Sequence, residues 1–225
     1  MRKFLLAMVL AFAAPAAWPQ LAKISNQDAS TGMKAALERG TAEAVANLGR
    51  TDGFLANSAV KIPLPDPLKR YEKMMRQFGM GKYADELITT MNRAAESAVP
   101  EARPLFVDAV RKMTLKDAKG ILTGGNTSAT DYFKRTMSDT LRGKFLPIVA
   151  ESTKRVQLAE KYNEYAAKGA KFGLVKKEDA SLDGYVTQKT MDGLFYMVGE
   201  EEKRIRADPL AAGSDIIKRV FGAMK

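Results

Sequence analysis

The chain has no cysteine and no histidine among its 225 residues. Without cysteine there is no disulfide, no thiolate nucleophile and no thiol to carry a lipid at a processed N-terminus. Without histidine the Ser-His-Asp arrangement is excluded, and with both absent so are the ordinary zinc and haem ligand sets. An enzyme made from this chain would need paired carboxylates, a serine–lysine pair or a bound cofactor. Long apolar runs are scarce as well. Beyond the first residues nothing approaches eighteen uninterrupted apolar positions, so no membrane-spanning helix is expected there.

The apolar run that does exist lies at the start. Arg2 and Lys3 precede the uncharged stretch Phe4–Ala14, and Ala14-Pro15-Ala16 supplies small residues where a signal peptidase cuts. These eleven residues at ~1.5 Å each span only about half of a ~30 Å hydrocarbon core. The expectation is a secretory signal over residues 1–16, a single all-helical domain over 17–225, and a periplasmic location in a bacterial-type cell. A chain of this size can bury roughly 70% of its unfolded surface, so packing alone can hold it.

The formal charge is +10, and the stretch beyond residue 16 keeps +8 because the leader carries two cations and no anion. A basic surface favours anionic partners. The expected partners are anionic envelope lipid, a cell-wall polymer or another envelope protein; nucleic acid is not expected for an exported chain. The cations do not cluster, since Lys176-Lys177 is followed at once by Glu178-Asp179, so a purely solubilising role competes with this reading.

Helical periodicity runs through the chain. Met33, Ala36, Leu37, Ala44, Val45 and Leu48 mark one face, ended by Gly49. Residues 50–67 break the pattern: Asp52-Gly53 signals a turn, Val60-Lys61-Ile62 could be extended, and three prolines follow. Asp66-Pro67 then reads as a helix start, with Leu68, Tyr71, Met74, Met75 and Phe78 on its apolar side and Gly79 at its end. The phase from Lys82 to Met113 survives Pro100 and Pro104, which fits one kinked helix or, preferably, two with the second opening near Pro100. Thr114 and Asp117 form a capping-box pattern, and Asn126 or Thr127 is expected to cap the next helix. That helix carries Leu141, Phe145 and Val149 and tolerates Pro147. Leu158, Tyr162, Tyr165 and Ala166 mark another, and a strong helix runs from Asp183 to Arg206. Its exterior is expected to pair Glu200 with Arg204 and Glu202 with Arg206. Asp208-Pro209 opens a last one with Ile216, Ile217, Val220, Phe221 and Met224. The fold class expected is all-α, a bundle-like single domain of about nine helices without a sheet.

The stretches DGFLANSAVKIPLP, SAVPEARPLF, DAKGILTGGNTSATDYF, KFGLV and the segment from Asp183 to Gly222 resemble a family of exported proteobacterial proteins catalogued as a domain of unknown function. The resemblance covers the chain from about residue 25 to its end. It implies an exported helical protein and carries no catalytic residue, cofactor or ligand set with it.

Few residues invite a site. Thr123, Gly124, Gly125, Asn126 and Thr127 could turn backbone amides toward an anion at a helix start, although they lack the lysine and spacing of a phosphate-binding loop and serve equally as a stop and a cap. Asp131, Tyr132 and Arg135 follow and could line a cleft. In the long connection near residue 60, Phe54 and Leu55 are expected to plug the core while Asn57 and Lys61 face outward; such a loop either functions or straps the bundle. Adjacent carboxylates such as Asp85-Glu86 point apart on a helix. Ten of the twelve methionines lie beyond residue 16; thioethers suit copper(I), but these fall on apolar faces and read as core filling. No catalytic residue, metal site or cofactor is expected. The function expected is a non-catalytic binding or interaction protein of the envelope, with a carboxylate-dependent hydrolase or lyase and a structural subunit of an envelope assembly as alternatives.

Overall fold

A computed structural model describes residues 26–154, 157–171 and 180–208, together with Asp215, Ile216 and Val220. These residues are helical and contain no strand: α1 (Asn26–Gly49), α2 (Asp66–Gln77), α3 (Gly81–Ala98), a turn of 3-10 helix (Val99–Glu101), α4 (Ala102–Lys112), α5 (Leu115–Thr123), α6 (Ser128–Thr153), α7 (Gln157–Lys171) and α8 (Leu182–Ala207). Eight helices stand where about nine are expected. The ninth would follow Asp208-Pro209 and lies largely outside the described residues, although its Asp215, Ile216 and Val220 are helical. The expected leader, residues 1–16, lies outside them as well.

Local rules account for most helix ends. Thr114 and Asp117 form the expected capping box: the Thr114 side chain accepts from the Asp117 amide, and the Asp117 carboxylate accepts from both the Thr114 amide and hydroxyl. Those bonds hold the Asp117 carboxyl below the usual carboxylate range, the hydroxyl contributing most. Ser181 caps α8 by accepting from the Gly184 amide. α2 closes with Gly79 at φ +72°, where the Gly79 amide donates to Arg76 and the Met80 amide to Met75. Such a paired closure requires a left-handed residue, for which glycine has no side-chain penalty. Gly49 closes α1 without left-handed geometry; the positive φ at that corner belongs to Asp52.

The prolines are absorbed in three ways. Pro100 sits in the 3-10 turn and Pro104 in the first turn of α4, where an amide would lack an intrahelical partner anyway. Two helices therefore replace one kinked helix, as preferred. Pro147 lies inside α6 on its exposed side, as does Gly143 four residues earlier. The carbonyl that loses its donor thus faces water rather than the core.

α6 and α8 lie along each other, with α3 against α6 and α1 against α8. Met33, Leu48, Phe106, Phe133, Phe145, Leu182 and Leu194 fill the space between them, and Phe133 meets Phe106 edge-on at 4.9 Å. Val220, from beyond the last described stretch, is buried over Gly32 of α1, where an added Cβ would come within 2.6 Å of it. α2 rests chiefly on α3. Part of its apolar side never reaches the core.

Candidate functional site

The start of α6 is where an anion cradle was most legible in the sequence. Thr123 to Thr127 form an exposed turn. A Cβ on Gly124 would stand 2.1 Å from the Ser128 hydroxyl, which itself donates to the Gly125 carbonyl. The cap is a correction: neither Asn126 nor Thr127 caps α6 with its side chain. Glu202 of α8 does, accepting from the Ala129 and Thr130 amides at 3.0 Å each and from the Thr130 hydroxyl at 3.0 Å. The amides of Ser128 and Asp131 donate to Gly125 and Thr127. The first four amides of α6 therefore have acceptors within the protein.

Glu202 is in turn held by Arg206, with Nη2 2.9 Å from its carboxylate. Arg206 also donates to the Ile121 carbonyl at 2.7 Å and to that of Leu122, the last carbonyls of α5. One ion pair, its carboxylate buried, thus closes the end of α5 and the beginning of α6. The sequence spacing identified this pair but placed it on the exterior; it lies inside because its partners are helix ends, not water. The second expected pair is also corrected: Glu200 bonds Lys203 at 2.7 Å, and Arg204 bonds Glu201.

Asp131 and Arg135 are exposed on α6, and the Thr127 hydroxyl reaches Asp131 at 3.4 Å. Tyr132 is buried, donates to the Ala109 carbonyl at 3.2 Å and has Arg135 over its ring at 5.8 Å. Burial pushes the Tyr132 phenol up. Tyr132 ties α6 to α4.

The connection between α1 and α2 is pinned from two helices, α3 and α8. Glu96 of α3, itself buried, accepts from the Phe54 and Leu55 amides at 3.0 and 3.1 Å. Asn92 exchanges hydrogen bonds with the Ile62 backbone at 2.8 and 2.9 Å. Tyr185 of α8 donates to the Pro63 carbonyl. Phe54 is buried and Leu55 half-buried, and Gly193 of α8 makes room: a Cβ there would stand 2.8 Å from the Phe54 ring. Lys61 faces outward as expected. Asn57 is half-buried and accepts from the Ala59 amide within its own turn. Val60-Lys61-Ile62 does not form a strand. The segment is a strap.

The strap borders the largest recess described, an open cleft of about 660 Å³ lined by Asn47, Arg50, Thr51, Asp52, Gly53, Ala56, Asn57, Ser58 and Met197. Its carboxylate, Asp52, is engaged by Arg93 at 2.7 Å. Ser58 and Lys61 have a serine–lysine spacing that sequence reading passed over; both are exposed, and no hydrogen bond joins them. Inside the bundle, the recess between α1 and α8 beside Glu202 measures only about 20 Å³, room for one water at most. No group of three acidic side chains among the described residues can hold a metal.

The exposed apolar surface is unevenly placed. Phe78 is 70% exposed, and Met74, Met80 and Tyr83 are exposed by nearly half. All four lie at the α2–α3 hairpin tip, although periodicity put Met74 and Phe78 on the buried side of α2 and read the methionines as core filling. Met33, Met91, Met113, Met137 and Met191 do fill the core; Met74 and Met80 do not. From Lys73 to Tyr83 the chain carries three cations and no carboxylate. Arg76 is met by Glu72 at 2.9 Å and by Asp85 at 2.6 Å, and its hydrogen bonds hold the Asp85 carboxyl below the usual range. Lys82 lies 5.1 Å over the Tyr83 ring. Five large apolar residues stand between positions 74 and 83, of which the helical period singled out Met74, Met75 and Phe78; that four of the five face solvent depends on α2 having few neighbours, which the period does not disclose.

The model of the family described as "Protein of unknown function (DUF4197)" matches residues 23–222. No curated protein and no solved structure matches the chain.

Proposed function

The chain belongs to that family of unknown function, and from its own residues we propose that it is an exported, non-catalytic interaction protein of the bacterial envelope, with the α2–α3 tip as its contact surface. One observation carries this reading. Phe78, Met74, Met80 and Tyr83 stand in solvent at a single point, while the buried carboxylates Glu96 and Glu202 are both committed to backbone amides. Clustered exposed apolar side chains mark interaction surfaces far more often than isolated ones do. The basic balance and the leader-like first sixteen residues support the envelope setting; no helix among the described residues is long and apolar enough to cross a membrane. A photo-crosslinking side chain at position 78, irradiated in living cells, tests the reading. Adducts with an envelope component are expected from position 78 and not from exposed Asn126; no adduct of any kind would sink it. Export is checked by recovering the chain in the periplasmic fraction with Ala17 as its first residue.

The polar cleft favours a second reading, contact with a cell-wall polymer. Its lining of Asn47, Arg50, Thr51, Asn57 and Ser58 offers hydrogen bonds of the kind a glycan accepts. Sedimentation with purified cell-wall polymer, lost on Arg50→Ala with Asn57→Ala, would support it.

A further inference from the structure

Resting on the reading of the α2–α3 tip as the contact surface, we infer that its partner is the surface of an anionic lipid bilayer, with Phe78 and Met80 set among the acyl chains and Lys73 and Lys82 at the phosphates. Three observations choose the occupant. The first is charge: Lys73, Arg76 and Lys82 occur between residues 73 and 83 without a carboxylate. Arg76 is answered by Glu72 and Asp85, whereas Lys73 and Lys82 are exposed and take part in no ion pair among the described residues. An apolar point ringed by cations complements a surface that is greasy below and negative above.

The second is size. Four side chains at a hairpin end fall well short of the roughly 20–30 residues per side that a stable protein interface uses, but shallow insertion into a headgroup layer needs only a few apolar groups together with cations. The third is chemistry and shape. Phe78 lies immediately before the left-handed Gly79, so the chain reverses there and its most exposed apolar side chain sits at the reversal. Tyr83 with Lys82 above its ring pairs an amphipathic aromatic with a cation at the height where headgroups would lie. Arg76 bridges the two helices through Glu72 and Asp85, so the tip is ordered before it meets the bilayer.

The test uses the protein recovered from an exporting host, mixed with vesicles of phosphatidylglycerol and phosphatidylethanolamine or of phosphatidylcholine alone, and assayed by flotation. Binding to the phosphatidylglycerol vesicles and not to phosphatidylcholine is expected. It should weaken as salt rises from about 0.1 M to about 0.5 M, because screening shortens the reach of the lysines. Phe78→Ser with Met80→Ser should lower vesicle affinity about tenfold or more by removing the inserted apolar area. Lys73→Glu with Lys82→Glu should abolish the preference for the anionic lipid. All four positions are exposed, and far-ultraviolet dichroism checks that the variants remain folded. Absence of vesicle binding, or binding that the Phe78/Met80 variant leaves unchanged, overturns the lipid assignment. A crosslink from position 78 to a protein, or to a second copy of this chain, without vesicle binding overturns it too but leaves the tip as a contact surface. No adduct and no vesicle binding overturn both.

Discussion

The junction of α5, α6 and α8 and the tip of α2 and α3 place charge and apolar surface in opposite ways. At the junction a carboxylate is buried and a guanidinium half-buried: Glu202 accepts from two amides, a hydroxyl and Arg206, and Arg206 also donates to two carbonyls. At the tip Phe78, Met74, Met80 and Tyr83 face water with little packed on them. The junction is chemically complete and has nothing to offer a partner. The tip is incomplete. The contrast separates residues whose role is to hold the fold from residues the fold does not need, and it is among the second kind that the proposed contact surface lies.

The largest expected effect lies at the junction. Glu202→Ala removes the buried acceptor for the Ala129 and Thr130 amides and one of the partners of Arg206. Removing one member of a buried pair costs about 3–5 kcal/mol, and unfolding in urea should show a loss of that order, or roughly 10 °C in Tm. Glu202→Gln keeps one acceptor oxygen and should lose visibly less. Loss below about 1 kcal/mol for Glu202→Ala would mean the junction is solvated, because solvated groups find replacement partners in water.

A smaller effect of the same kind is expected in the strap. Glu96→Ala frees the Phe54 and Leu55 amides at a buried site and should cost about 2–3 kcal/mol. Arg93 is less affected because it keeps Asp52. Hydrogen exchange at the Phe54 and Leu55 amides should accelerate by more than the global loss explains, since the strap would open locally. Equal acceleration throughout the chain would show that the strap has no independent opening.

How much of this the sequence disclosed follows from the range of each interaction. The capping box at Thr114 and Asp117, the closure at Gly79 and the division near Pro100 are set by residues within five positions of one another, and they were legible. So was the interior face of α1, where Met33, Ala36, Leu37, Ala44, Val45 and Leu48 are all buried as their spacing requires. The cap of α6 was not legible, because its acceptor stands 73 residues away from Ala129; a local reading could offer only Asn126 or Thr127. The strap's anchors, Asn92 and Glu96, were hidden for the same reason, lying 30 and 42 residues from the backbone they hold. α2 failed in the other direction. Its period was read correctly, but period says only that one side is apolar, not that another element covers it.

One substitution should reverse the sign seen at the junction. Thr187 is buried on α8, and its hydroxyl has no hydrogen-bond partner among the described residues. Thr187→Val replaces that hydroxyl by a methyl of similar size and should stabilise the protein by about 0.5–1 kcal/mol, measured by the same urea titration. A loss would mean that the hydroxyl has a partner in solution. The contrast drawn above would then extend only to groups whose partners are protein atoms.

The smallest expected effect on stability is the most informative about the contrast. Phe78→Ser exchanges an aromatic ring for a hydroxyl at a position already 70% exposed, so the unfolding free energy should change by no more than about 0.5 kcal/mol. A buried phenylalanine truncated as severely would cost about 3–5 kcal/mol, so the two outcomes are well separated. Pairing this variant with Glu202→Ala gives a double dissociation: the junction variant should lose stability while its folded fraction keeps whatever the tip binds, and the tip variant should keep stability while losing the partner. If Phe78→Ser unfolds the protein at lower urea, Phe78 has a place in the core and α2 closes on the bundle in solution. Its apolar side would then need no other occupant.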